Sequence, residues 1–193
     1  GNIYIDSISV KEVQMGNHGT TTFYGDELIT DSDDRDFAGG DIGNWVVYNT
    51  GGNGTVTYDG TNPDSEKVGK ITVGGTAGTQ TAARLSTSEI TALVEGRRYR
   101  LELDIYLPSA NNNWTQITPS LQDMGKDSAT IVNATLGTED AWQEISLEFT
   151  ATSDVTGHLY IYGNSTTVGD LIYFDNITLK EIGVAAGWTT ADA

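Results

Sequence analysis

The sequence predicts an all-β fold, a β-sandwich jelly roll of two antiparallel sheets, on three observations. Helical periodicity is almost absent. Short alternating runs rich in Thr, Val, Ile and Tyr dominate, and 23 glycines with many Asn/Asp turns punctuate them. Turns recur about every dozen residues, and a chain of 193 residues has length for one generous domain, which favours the jelly-roll form.

The elements follow in order. The chain opens on IYIDSISVKEV (residues 3–13) and near its end reads IYFDNITLKEI (residues 172–182). At an offset of 169 the two share Ile, Tyr, Asp, Ile, Lys and Glu in place, which marks a repeat. Residues 1–13 therefore read as the terminal strand of a preceding copy in a tandem array. A strand without a slot in its own module recruits a partner, so weak self-association is expected. Residues 14–26 are too polar and Gly-rich for a core and read as a connector. The module itself is expected at 27–182, and 183–193 as the exit towards a neighbouring module. Trp188 there packs on the module's end or on that neighbour.

Within the module, strands are expected at 27–30, 44–48, 54–58, 68–73 and 79–86. The run STSEITALVEG (residues 86–96) predicts a helical turn, capped by Ser86 or Ser88 and stopped by Gly96. The clearest strand is RRYRLELDIYL (residues 97–107). Tyr99, Leu101, Leu103, Ile105 and Leu107 form its apolar row, opposite Arg98, Arg100, Glu102 and Asp104, with Tyr106 closing the polar one. Further strands are expected at 114–121, 128–133, 142–150 and 158–162. In 142–150, Ile145, Leu147 and Phe149 point inward. In HLYIY, His158, Tyr160 and Tyr162 alternate with Leu159 and Ile161, and either set can be the buried one. Trp45 and Trp142 read as core.

Charge narrows the partners. Asp+Glu 27 against Lys+Arg 10 gives a net charge of −17, which repels phosphate backbones and excludes nucleic acid as an expected partner. Spare carboxylates suit a hard cation such as Ca²⁺, although such a charge also serves solubility alone. There is no cysteine, hence no disulfide or thiolate metal site. No apolar run reaches membrane-spanning length, so no membrane insertion is expected.

Four segments, taken in order, resemble one family. ELITDSDDRDF followed by GNW (residues 27–45), EITALVEGRRYRLELDI (89–105), TEDAWQEISLEFTA (138–151) and GDLIYFDNITLKEI (169–182) are similar to segments of jelly-roll carbohydrate-binding modules of the family 4, 9 and 22 type, galactose-binding-domain-like in fold. The tandem connectors also resemble those of phage tail or fibre proteins of the virion. The family resemblance implies a structural Ca²⁺ that ties the last strand to the N-terminal segment. Asp175 and Asp64 would supply carboxylates, and Asp36 and Lys67 backbone carbonyls. The chain departs from the family at Ala38, where Glu is frequent, and Asp33 or Asp34 is the expected substitute. Without a metal, Asp175 would hydrogen-bond turn amides. Asp6 is its counterpart in the first copy of the repeat.

Sugars need flat aromatic faces for their C–H surfaces and planar polar groups for their hydroxyls. The outward row Arg98, Arg100, Glu102, Asp104 and Tyr106 has that composition. In residues 113–121, Ile117 and Leu121 read as core, which turns Trp114, Gln116 and Thr118 to the other side. If the two strands share a sheet, its concave face is a glycan cleft, with Trp114 and Tyr106 stacking. Against this, the resembled modules commonly place a Trp where Asp104 stands, and a row of Arg, Glu and Asp is also what a solvated sheet face looks like.

Only His18 and His158 are present, which gives hydrolase or triad chemistry thin support. The sequence thus reads as a non-catalytic, extracellular module, secreted or on a virion surface, that binds a polysaccharide or cell-surface glycan. The alternative is an architectural spacer of a fibre or adhesin without its own ligand.

Overall fold

In a computed structural model, residues 24–49, 54–61, 63, 66–75, 80–122, 124, 138–152, 157–165 and 167–183 are described. The repeat strand expected at 3–13 with Asp6, most of the 14–26 connector, Asp64, the strand expected at 128–133 and the tail with Trp188 lie outside them. Among the described residues, ten strands and one α-helical turn, besides two 3-10 turns, follow in the order β1 (Tyr24–Glu27), α1 (Asp33–Asp36), β2 (Val46–Asn49), β3 (Thr55–Asp59), β4 (Val68–Thr72) and β5 (Gln80–Leu85), then β6 (Arg98–Tyr106), β7 (Trp114–Gln122), β8 (Trp142–Thr150), β9 (His158–Ser165) and β10 (Leu171–Ile182).

The strands form the expected β-sandwich of two antiparallel sheets. One runs β3-β4-β10-β6-β8, with β1 added on β10; the other runs β2-β5-β9-β7. Alternation along the strands builds the core between them. Tyr99, Leu101, Leu103 and Ile105 of β6 and Ile145 and Phe149 of β8 face Ala83 and Leu85 of β5, Ile117 and Leu121 of β7, and Leu159 and Ile161 of β9. Each large side chain so buried contributes about 1.5–3 kcal/mol. Phe174 of β10 meets Phe37 and Trp45 edge-on, with centroids 5.4 and 5.2 Å away. Gly69 opposite it leaves the room, since a Cβ there would stand 2.4 Å from the Phe174 ring.

Three expectations need correction. The helical turn expected over residues 86–96 is present only as a 3-10 turn, Thr87–Glu89 after Ser86, and the chain turns extended at Ile90. Its amides and carbonyls are spent on the β1 side, where Thr30 N donates to Glu89 O and Thr91 N to Leu28 O, so Ile90 and Leu93 reach the core. An isolated stretch of that length lacks the propagation to outbid such bonds. Trp142 is not core but lies half-buried outside the core cluster, edge-on to Tyr106 at 5.6 Å. In β7 a register shift between Trp114 and Gln116 breaks the expected alternation.

Candidate functional site

A bulge in β7 reverses the side to which Trp114 was expected to point. Trp114 pairs with Ser165 but Gln116 with Asn164, so the register shifts by one residue at Thr115. The shift turns Trp114 to the inner side, together with Ile117. Its ring is 4% exposed in the hydrophobic core, and its Nε1–H donates to Leu171 O at 2.9 Å. Gly163 makes the space, since a Cβ there would sit 2.1 Å from the indole. A ring so enclosed offers no face to a sugar.

The expected ligand residues also stand on two sheets. Arg98, Arg100, Glu102, Asp104 and Tyr106 lie on the outer face of β6 in the larger sheet, while Gln116 is on the outer face of β7 in the smaller one. The β6 row is committed to its neighbours. Glu148 takes Arg98 at 2.7 Å and also Arg100, which stacks at 5.2 Å over Tyr24. Glu102 accepts from Arg100 at 3.4 Å, and Asp104 from Asn176 Nδ2 at 2.9 Å. Tyr106 packs edge-on between Trp142 and Tyr173. The outward row is a self-neutralised sheet surface.

The outer face of the smaller sheet carries what that row lacks. Leu159 and Ile161 point inward on β9 and His158, Tyr160 and Tyr162 to the other side, where Tyr160 is itself buried at 4% exposure and His158 and Tyr162 are half-buried. Tyr160 and Tyr162 stack at 4.8 Å with 16° between their planes. Tyr48 of β2 closes on both, at 5.5 and 6.4 Å, and is 38% exposed. Burial, then the neighbouring Tyr160 and Tyr48, push the Tyr162 phenol up to about 12, so it remains a neutral hydroxyl donor. Arg84 of β5 pairs with Tyr160 across the ladder and reaches 5.9 Å from the Tyr48 ring centre. Gln80, Asn164 and Gln116 form one cross-strand row of amides beyond the rings, and Gln116 Nε2 donates to Thr118 Oγ1 at 2.8 Å. Sequence reasoning missed Tyr48 and Arg84 because only the strand order brings them beside β9.

The expected metal residues are partly brought together. Asp175 is 7% exposed, its Oδ1 has no hydrogen-bond partner, and it faces Asp104 across the β10–β6 pair. Burial first, then the carboxylates of Glu66, Asp104 and Asp36, push its carboxyl up to about 7, against a bond from the Asn176 amide. A cation at the open oxygen would reverse that repulsion, and a carboxylate oxygen is the kind of donor a hard divalent ion takes. Among the described residues no three ligating side chains form a metal cluster. Asp33 and Asp34 are engaged elsewhere: Asp33 accepts from Gly39 N at 2.8 Å, and Asp34 from the Asn44 amide and side chain. Lys67 Nζ donates to Ala38 O at 2.5 Å. Glu27 shares in tying the N-terminal segment to the last strand, with Oε1 accepting from Leu28, Ile29 and Leu179 amides.

Residues 33–167 match the model of a family described as a carbohydrate binding domain. No protein of curated function matches the chain. Among solved structures, the chain is similar to a carbohydrate-binding module of the β-sandwich superfamily described for promiscuous specificity. The TM-score is 0.53 at 22% identity, covering 77% of this chain and 62% of that one, less than two thirds of its length. The C-terminal family 22 carbohydrate binding module of Clostridium thermocellum Xyn10B gives a TM-score of 0.52 at 16% identity, covering 77% of this chain and 91% of the other. The CBM22-1 xylan-binding domain of Paenibacillus barcinonensis Xyn10C gives 0.52 at 12%, covering 78% and 94%. At these identities the likeness is one of fold.

Proposed function

The chain belongs to this carbohydrate-binding family, and from that premise we propose that it recognises a polysaccharide or surface glycan outside the cell on the outer face of the smaller sheet. The observation that carries the reading is the ring cluster of Tyr48, Tyr160 and Tyr162 with amide and guanidinium groups around it. Tyr48 and Tyr162 present the accessible ring surface, for stacking on sugar C–H faces. Arg84, Gln116 and Asn164 supply the planar donors that fix hydroxyls. Binding on this face needs no proton transfer or nucleophile, in keeping with a non-catalytic module.

A structural calcium completes the proposal. Asp175 is its best-supported ligand, through the unpaired Oδ1. Asp64 and the carbonyls of Asp36 and Lys67 complete the set that the family resemblance implies. Bound there, the ion supplies only positive charge, which neutralises the carboxylates around β10.

The test is a thermal melt across soluble xylans, β-glucans, mannans and pectins. A ligand-dependent rise in Tm, lost in Tyr48→Ala and Tyr162→Ala variants that still fold, is the expected result. No rise with any polysaccharide would leave an architectural spacer as the better account.

A further inference from the structure

Among the described residues, the outward positions of the smaller sheet differ in charge from the acidic chain they belong to. The chain carries 27 acidic against 10 basic residues, yet no Asp or Glu stands on the outward positions of β2, β5, β7 and β9 among the described residues. The cation on that face is Arg84, and none of the ion pairs among the described residues includes it. Arg97, Arg98 and Arg100 on the other sheet are all matched to glutamates. Arg84 Nε is moreover buried without an acceptor, as is His158 Nδ1 on the same face. A guanidinium N–H held out of water and left unpaired is costly unless a ligand supplies the acceptor.

Resting on the reading of this face as the glycan site, we propose that the ligand is an anionic polysaccharide whose carboxylate or sulfate group sits on Arg84. The guanidinium fork matches either group through two parallel N–H bonds, which a hydroxyl cannot reproduce. The guanidinium carbon lies 5.9 Å from the Tyr48 ring centre, a cation–π contact beside the place proposed for the acid. With no carboxylate on the outward strand positions among the described residues, the approaching anion meets no repulsion from them at contact. The net charge of −17 acts at longer range and is screened beyond about 8 Å at physiological salt.

The experiment compares charged ligands with their uncharged counterparts at physiological ionic strength by isothermal titration. Short oligogalacturonides, too short to gel with calcium, are set against their methyl esters, and sulfated dextran against dextran. The wild type is expected to bind the charged member of at least one pair about tenfold more tightly, and the responding pair distinguishes carboxylate from sulfate. Arg84→Gln is expected to remove the preference and Arg84→Lys to keep part of it, while thermal melts confirm that both variants fold. Equal affinity within both pairs, or a preference that survives Arg84→Gln, overturns the inference. Binding of neutral xylan or β-glucan that is sensitive to Tyr162→Ala, with no charge preference, overturns the inference and leaves the glycan-binding reading standing. Binding of no polysaccharide at all overturns both. If Arg84→Gln fails to fold, the Arg84→Lys variant decides the placement, a preference undiminished there overturning it, while the wild-type comparison decides the charge preference itself.

Discussion

Asp59 accepts bonds from Lys70 Nζ at 2.7 Å and from Thr61 N and Oγ1. Burial pushes its carboxyl up, but these bonds outweigh it and hold the group at about 2. A folded-state value below the unfolded one means stability that is present above about pH 4 and lost as pH falls through about 2. Asp59→Asn is expected to cost ~1–2 kcal/mol at pH 7 and to flatten the acid limb of the stability curve in that window. Urea melts between pH 2 and 7 measure it. Asp175 is perturbed the other way, its carboxylate buried among other carboxylates. Calcium should raise the Tm of the wild type and leave Asp175→Asn unmoved. In chelator the variant should melt no lower than the wild type, because an uncompensated buried charge has been removed. A variant that responds to calcium like the wild type would contradict the assignment.

At the scale of elements, two bulges decide which side chains face where. One falls between Asp175 and Thr178 on β10, where Asn176 adopts φ 52°, and lets Phe174 and Ile177 both point inward. The other turns Trp114 into the core. Strand alternation was legible in the sequence wherever the ladder is regular: the inward rows of β6 and β8 stand where period two puts them, with Leu147 only half-buried. It was not legible across a bulge, because an extra residue reverses parity without a distinctive residue to announce it. Gly163 is the trace that the sequence did carry, a small residue where an indole must fit. Gly163→Ala is accordingly expected to destabilise by about 1–3 kcal/mol through overpacking. Trp114→Ala is expected to cost about 3–5 kcal/mol by leaving a cavity. Denaturant melts check both, and a Trp114→Ala protein of unchanged stability would restore the ring to the surface.

For the whole molecule, strand order converts sequence into a surface. β2, β5, β9 and β7 are dispersed between residues 46 and 165, and Tyr48, Arg84, Tyr160 and Tyr162 become neighbours only when these strands pair. Local pattern identified the sandwich and the family resemblance, whereas the composition of a face depends on which strands share a sheet. The same topology gives the two outer faces opposite characters. The larger sheet pairs its arginines with glutamates, and the smaller one leaves an aromatic cluster beside an unpaired guanidinium. The measurement that tests this division most directly is a backbone amide NMR titration with an oligosaccharide that raises the Tm. The account predicts shifts concentrated on β2, β5 and β9, around Tyr48, Arg84 and Tyr162, with β6 and β8 silent. Shifts centred on Arg100, Glu102 and Glu148 instead would place the ligand on the other sheet and contradict it.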